Sequence, residues 1–263
     1  MKRYIIPLLL FHLMLAAIGR GQGAAGDTIR PGRGQLQTKV LKPGLRQYLV
    51  YFQRPQQRKA LGFWYWMREI GTVQRGGEAC WEIKQRWYGS DSLSYREVYS
   101  VNRGSDFAPL YHEETAGGKL SAYEWGLDGI KGADSVEGNS RKGFSLAFAE
   151  ANFNWNLDIE TFEMLPLGAG KKFWINFYDA GLEPPKYVLY KVVGSEEVVL
   201  MDGMAIDCWK LNTEGESPRG AYSQTFWIGK KTHEFLKEED SFGGMYRYKV
   251  KMPDTAPDIR YRY

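Results

Sequence analysis

Apolar and polar residues alternate with period two along most of this chain. Trp81, Ile83 and Trp87 alternate with Glu82, Lys84 and Arg86; Phe153, Trp155, Leu157 and Ile159 alternate with Asn154, Asn156, Asp158 and Glu160; Tyr246, Tyr248, Val250 and Met252 alternate with Arg247, Lys249 and Lys251. Successive side chains of a strand point to opposite faces, so each run predicts a strand with one wet face. Further strands are predicted at Tyr48–Gln53, Phe63–Thr72, Leu93–Val101, Lys119–Trp125, Phe144–Ala149, Lys172–Tyr178, Tyr187–Val193, Val198–Met201, Ala205–Asn212, Tyr222–Ile228 and His233–Glu239. Turn residues punctuate them at Gly76-Gly77, Gly89-Ser90-Asp91, Gly117-Gly118, Gly168-Ala169-Gly170, Asp202-Gly203 and Gly243-Gly244. About a dozen strands without an intervening helical period predict an all-β fold: one large antiparallel curved sheet, partly closed and barrel-like. After Glu160 the apolar phase slips to Phe162 and Met164, which predicts a bulge or one helical turn there.

A faint repeat adds to this organisation. The Cys80-Trp81 pair is answered by Cys208-Trp209 at an offset of 128 (208 − 80), and Gly117-Gly118 by Gly243-Gly244 at an offset of 126 (243 − 117). Two pseudo-equivalent halves of one sheet would produce this, as would chance likeness between two aromatic-rich meanders.

The amino terminus reads as an address. Lys2 and Arg3 precede an apolar run from Tyr4 to Ile18, followed by small residues at Gly19, Gly21 and Gly23. That is the pattern of a secretory signal peptide over residues 1–21, and the run is too short for a stable membrane helix. The expected division is a loose segment over 22–44, a single β domain over 45–252 and a loose tail over 253–263, because both flanks lack a period. The formal charge of +4 falls to +1 when Lys2, Arg3 and Arg20 leave (4 − 3 = 1), which gives no basis for a nucleic-acid partner. No later apolar stretch reaches membrane-spanning length, so no transmembrane segment is expected in the mature chain, which would be periplasmic or secreted. Aromatic residues are 15% of the chain and glycines number 30, in keeping with strands joined by tight turns.

Candidate chemistry is sparse. With His12 in the address segment, His112 and His233 are the imidazoles left, too few for a multi-histidine metal site, and no cofactor motif is present. His112, Glu113 and Glu114, joined by His233, Glu238 and Glu239 from the matching half, could assemble a proton-moving cluster, or simply keep strand ends wet. Phe63-Trp64-Tyr65-Trp66 puts two rings on each face of one strand. Trp64, Trp66, Trp87 and Trp125 are therefore candidates for a ligand platform, with ordinary core packing as the alternative. Cys80 and Cys208 permit one disulfide in an oxidising compartment, worth roughly 4–5 kcal/mol for so long a loop, or else are two separate thiols.

From Leu165-Pro166-Leu167 onward the sequence resembles exported bacterial β proteins grouped as domain of unknown function 3108. The resemblance lies in Phe173-Trp-Ile-Asn-Phe177, Tyr190-Lys-Val-Val193, Val199 to Gly203, Ile206-Asp207-Cys208-Trp209-Lys210-Leu211, and Phe226-Trp227-Ile228 leading to His233 and Lys237. It implies a barrel-like antiparallel sheet in a Gram-negative envelope and carries over no catalytic or ligand residue. The expected role is non-catalytic binding of an unidentified ligand or envelope partner. The rivals are a hydrolase built on the His and Glu cluster and a structural component acting through sheet edges.

Overall fold

The computed structural model describes residues 26–55, 62–91, 94–182, 184–217 and 220–260. The signal-peptide reading over 1–21 lies outside these residues. The strands are β1 (Asp27–Ile29), β2 (Gly44–Gln53), β3 (Gly62–Arg75), β4 (Glu78–Tyr88), β5 (Arg96–Arg103), β6 (Pro109–Ala116), β7 (Lys119–Trp125), β8 (Gly129–Gly132), β9 (Ser145–Ala147) and β10 (Phe153–Asn154). After the helix α1 (Asp158–Glu163) come β11 (Lys172–Tyr178), β12 (Lys186–Val199), β13 (Ala205–Ser217), β14 (Gly220–Gly229), β15 (Phe235–Phe242) and β16 (Met245–Lys251). All belong to one sheet, ordered β1-β11-β12-β13-β14-β15-β16-β2-β3-β4-β5-β6-β7-β8-β9, with β10 also on β11.

The fold is thus two runs of hairpins, β11 to β16 and β2 to β7, joined where β16 pairs antiparallel with β2. The runs correspond. Each places a Cys-Trp strand three strands before a Gly-Gly hairpin, and all four turn glycines, Gly117, Gly118, Gly243 and Gly244, have positive φ between 53° and 74°. Successive positive φ values are those of a type I′ turn, which suits the twist of a two-residue hairpin. Aligned on these turns, His112 and Glu114 of β6 correspond to Glu238 and Asp240 of β15.

The sheet rolls up like a scroll. On the concave face Ile70, Ile83, Ser100, His112 and Tyr123 lie opposite one another across β3 to β7. Across the other run, Leu211, Phe226, Glu238 and Lys249 do the same. In β11 the concave set is Phe173, Ile175 and Phe177, which leaves Tyr178 on the convex side. Yet Tyr178 is buried, with its ring 5.6 Å from Trp125 of the concave side of β7 and 5.6 Å from Phe148. The β7–β9 end therefore overlaps the outside of β11, and side chains join edges that no ladder closes.

Residues 153–165 fill the inside of the scroll. Phe153, Leu157, Ile159, Phe162, Met164 and Leu165 are buried against Tyr48, Trp66, Ile83, Tyr190, Leu211, Phe226 and Phe235. Here the alternation of 153–160 misleads. Only Phe153–Asn154 is a strand, a 3-10 turn follows over Trp155–Leu157, and α1 carries the chain through the predicted phase slip. The reason is tertiary: this segment is surrounded by sheet, so both its faces are buried and no wet face exists to be read.

Three further expectations are corrected. In β16 the polar phase is the inner one, for Lys249 and Lys251 are buried while Tyr246, Tyr248 and Val250 are half-exposed on the outside. The stretch expected to be loose before residue 45 holds β1, parallel to β11, and buries Ile29, Leu36 and Leu41. The tail after Lys251 lies along the convex face, where Gln47 donates to the Ala256 carbonyl at 3.0 Å and Arg260 meets Glu69 at 2.6 Å.

Candidate functional site

The concave face carries a large buried polar set. Arg68 of β3 grips Glu160 of α1 through two hydrogen bonds, one of them from Nε at 2.8 Å, and its guanidinium lies 4.5 Å from the Trp66 ring centroid. Both partners are 1% exposed in their side chains. Arg46 of β2 holds Glu163 at 2.5 Å, and the Phe235 backbone N–H donates to the same carboxylate at 2.8 Å. On the neighbouring strands Glu238 meets both Lys249 and Arg247, and Asp240 meets Arg247. Burial opposes charge on both carboxyls. The cations overcome it at Glu238 and hold that group below its ordinary range, whereas burial and the adjacent Glu238 charge push Asp240 up. Charges this deep persist when paired, so the network fixes how the inner segment sits.

His112 belongs to this interior. Its Nδ1 lies 3.0 Å from Ser100 Oγ and accepts from Asn154 Nδ2 at 3.0 Å. It is 1% exposed, and burial, with nearby Arg96, lowers its pKa to about 3. A base held neutral and sealed from solvent orders Asn154 and cannot exchange protons with a substrate. His233 sits in the β14–β15 turn at φ 59° and donates from Nδ1 to the Glu163 carbonyl at 3.1 Å. The two imidazoles bind opposite ends of the 154–163 segment, so the rival reading, a His and Glu cluster, does not assemble. Glu113 points outward and accepts from Tyr111 Oη at 2.5 Å, and Glu114 pairs with Arg96 at 2.9 Å. Glu239, also on the outer face, pairs with Lys237 at 3.3 Å.

The four candidate tryptophans face inward. Trp66 is buried and stacks on Trp87 with centroids 4.3 Å apart, and Trp125 packs on Tyr178. Trp64 is half-buried and meets Phe52 edge-on at 5.1 Å. They are core and seam, not a platform. Cys80 and Cys208 are buried free thiols on β4 and β13, six strand steps apart in the sheet order, and the permitted bridge is absent.

An opening remains where the inner segment enters between the rolled ends. Trp155, Phe177, Leu182 and Pro184 line a cleft of about 550 Å³, with Asp179 and Lys186 at its polar margin. Trp155 packs edge-on against Phe177 at 5.2 Å, and Leu182 is 67% exposed above them. Burial pushes the Asp179 carboxyl up; it accepts from Asn156 Nδ2 at 3.3 Å, and Asn156 in turn accepts from Arg96. Lys186 is exposed and has no ion pair among the described residues. A second cleft of about 480 Å³ at the β3–β5 end is lined by Trp81, Cys80 and Ala79 together with Thr72, Glu78 and Arg103. Sequence reasoning missed the first cleft because its walls come from three segments that meet only in the scroll. The one local signal was the phase slip after Glu160, on the same inner segment as Trp155.

The geometry defines a barrel-like antiparallel β protein with a filled interior. A solved β-barrel-like protein of domain of unknown function DUF1849 from Brucella abortus shares this fold, with a TM-score of 0.50 and 10% identity over 81% of this chain and 96% of that one. Fainter likenesses are the hypothetical lipoprotein YmcC from Escherichia coli (TM-score 0.32, 11% identity, 78% of this chain and 86% of that one) and a DUF1329 family protein from Desulfovibrio piger (TM-score 0.32, 10% identity, 86% and 92%). No curated protein matches the sequence significantly. The chain belongs to the family described as protein of unknown function DUF3108, whose model matches residues 47–251.

Proposed function

We propose that this is an exported envelope protein that binds an amphiphilic ligand in the Trp155 cleft and performs no chemistry on it. The single observation that carries this reading is the contrast between the two spaces. The interior is occupied by residues 153–165 and its Glu160, Glu163, Glu238 and Asp240 carboxyls meet cations, whereas the cleft presents four apolar walls and, at one margin, a cation that pairs with none of the described residues. Its volume falls in the range of small-molecule sites, which combine mostly apolar lining with few polar groups. An apolar chain would lie against Trp155, Phe177, Leu182 and Pro184, with an acidic head at Lys186. Export rests on the basic start, apolar run and small residues of the first 21 positions.

The test is displacement of anilinonaphthalene sulfonate by a long-chain fatty acid on the purified protein. Saturable displacement that weakens at least about tenfold in Trp155→Ala, with Lys186→Ala weakening the acid more than the corresponding alcohol, is expected. Displacement that neither substitution alters would refute the assignment.

A further inference from the structure

At the far end of β12 from this cleft, the β12–β13 hairpin runs past the ladders of its neighbouring strands. The β11 ladder along β12 stops at Lys172↔Lys191, and the β14 ladder along β13 begins at Cys208↔Gly229. Between them residues 194–199 and 205–207 ladder only with each other, although the Lys230 N–H donates to the Asp207 carbonyl at 2.9 Å and Val198, Leu200 and Ile206 pack back on Cys208, Trp227 and Leu236. Met204 lies three residues, roughly 10 Å along the chain at a strand's rise, past Asp207, the last residue of the arm with a backbone bond to β14 or the turn after it. Its tip is Val199-Leu200-Met201-Asp202-Gly203-Met204, in which Val199, Met201 and Met204 are 66%, 52% and 56% exposed. The one charge of the tip, Asp202, is turned back to accept from the Met204 N–H at 3.0 Å.

A ring of amphipathic groups stands behind the tip. Lys230 lies 4.4 Å from the Trp209 ring centroid, and Lys210 and Lys237 lie 5.3 and 4.4 Å from that of Trp227. These lysines are neutralised, Lys210 by Glu196 at 2.8 Å, Lys230 by Asp207 at 2.9 Å and Lys237 by Glu239 at 3.3 Å. Apolar residues at a projecting end, followed by indoles and lysine stems, are the order of groups met on crossing from the acyl boundary of a bilayer to water.

We propose that this hairpin tip is a membrane-docking element that inserts Val199, Met201 and Met204 into the apolar layer of a lipid bilayer, with Leu200 turned back onto Cys208, Trp227 and Leu236. The occupant follows from shape and charge. A tip this narrow offers far less than the roughly 800 Å² per partner of a standard protein interface, but its length covers the roughly 5–10 Å depth at which interfacial elements sit. Because the ring is charge-compensated, binding depends on the apolar tip and neither on anionic headgroups nor on low salt. The proposal stands apart from the Trp155 cleft and from any ligand there.

Flotation of the purified chain with zwitterionic phosphatidylcholine vesicles tests it. The parent is expected to float with the vesicles equally at low and high salt, and Met201→Asp with Met204→Asp together to lower partitioning at least about tenfold while the thermal transition is unchanged. A Met201→Trp reporter should shift its emission to the blue on adding vesicles and be quenched by lipids brominated in the acyl chain. No flotation of the parent, equal flotation of the double variant, or a reporter shift on self-association without brominated-lipid quenching would each overturn the proposal.

Discussion

Glu160→Gln is the sharpest perturbation of the interior, because it removes one charge from a pair the fold surrounds completely. Arg68 and Glu160 are each 1% exposed in their side chains. The guanidinium also donates to the Asn156 carbonyl at 3.4 Å and covers Trp66, so it has no path to water when its partner is neutralised. Breaking one side of a buried pair typically costs about 3–5 kcal/mol, against a total domain stability of about 5–15 kcal/mol. With a urea m value near 3 kcal/mol per molar, about 4 kcal/mol appears as a midpoint lower by roughly 1.3 M. Replacing both residues, as in Arg68→Met with Glu160→Leu, removes the uncompensated charge together with its partner and should recover most of that loss. The assay is urea unfolding followed by tryptophan fluorescence, with the two singles and the double forming a cycle. A Glu160→Gln cost below about 1 kcal/mol, or a double variant as unstable as the worse single, would refute the reading of this pair as a charge-locked anchor.

Other outcomes follow from the same interior. His112 has a folded pKa lowered to about 3, so the unfolded chain takes up its proton more readily; stability should fall as pH drops from about 6.5 toward 3, by up to roughly 1.4 kcal/mol per pH unit, and stay level above 6.5 as far as this group is concerned. His112→Gln should flatten that part of the profile in pH-dependent unfolding, and an unchanged slope would contradict the assignment. Lys249→Ala, which strips Glu238 of a buried partner, should cost about 3–5 kcal/mol, whereas Lys84→Ala on the outer face of β4 should stay within about 0.5 kcal/mol; equal thermal shifts would contradict the inward phase of β16. Cys80 and Cys208 should resist Ellman's reagent in the native protein, the latter with its thiol pushed up to about 12 by burial. Both should react after unreduced protein is unfolded in guanidinium, and fewer than two thiols would show a bridge.

Much of the sheet was legible because one of its faces is wet. Lys119–Trp125 and Lys172–Tyr178 were expected with the bounds they have, and the expected strand at Tyr187–Val193 and the start of that at Val198–Met201 merge into β12, which has a bulge between Val192 and Gly194 and ends at Val199. Period two gives position but not sign. In β16 lysines and an arginine face the core because Glu238, Asp240 and Glu234 wait there for them, and no local pattern announces a cationic inner face. Strand β6 was missed for a related reason, since its inward His112 and Glu114 break the apolar phase. Trp81 and Trp209, the tryptophans of the repeated Cys-Trp pair, stand on the apolar phase of their strands. They share a face with the buried Ile83 and Leu211 but are only half-buried themselves, because each lies near the end of the scroll. The duplicated Gly-Gly spacing was the most far-reaching signal, for it marked equivalent hairpins. The cleft was not legible, because a site made by a sheet overlapping itself has no counterpart in local sequence.

Hydrogen exchange of the whole chain with and without a saturating long-chain fatty acid tests the division between a filled interior and a cleft at the seam most directly. The account predicts added protection confined to peptides spanning 153–158 and 176–188, with those of β15 and β16 unchanged. Protection gained instead across 236–251, with 153–165 losing it, would mean that the ligand enters the scroll by displacing the inner segment.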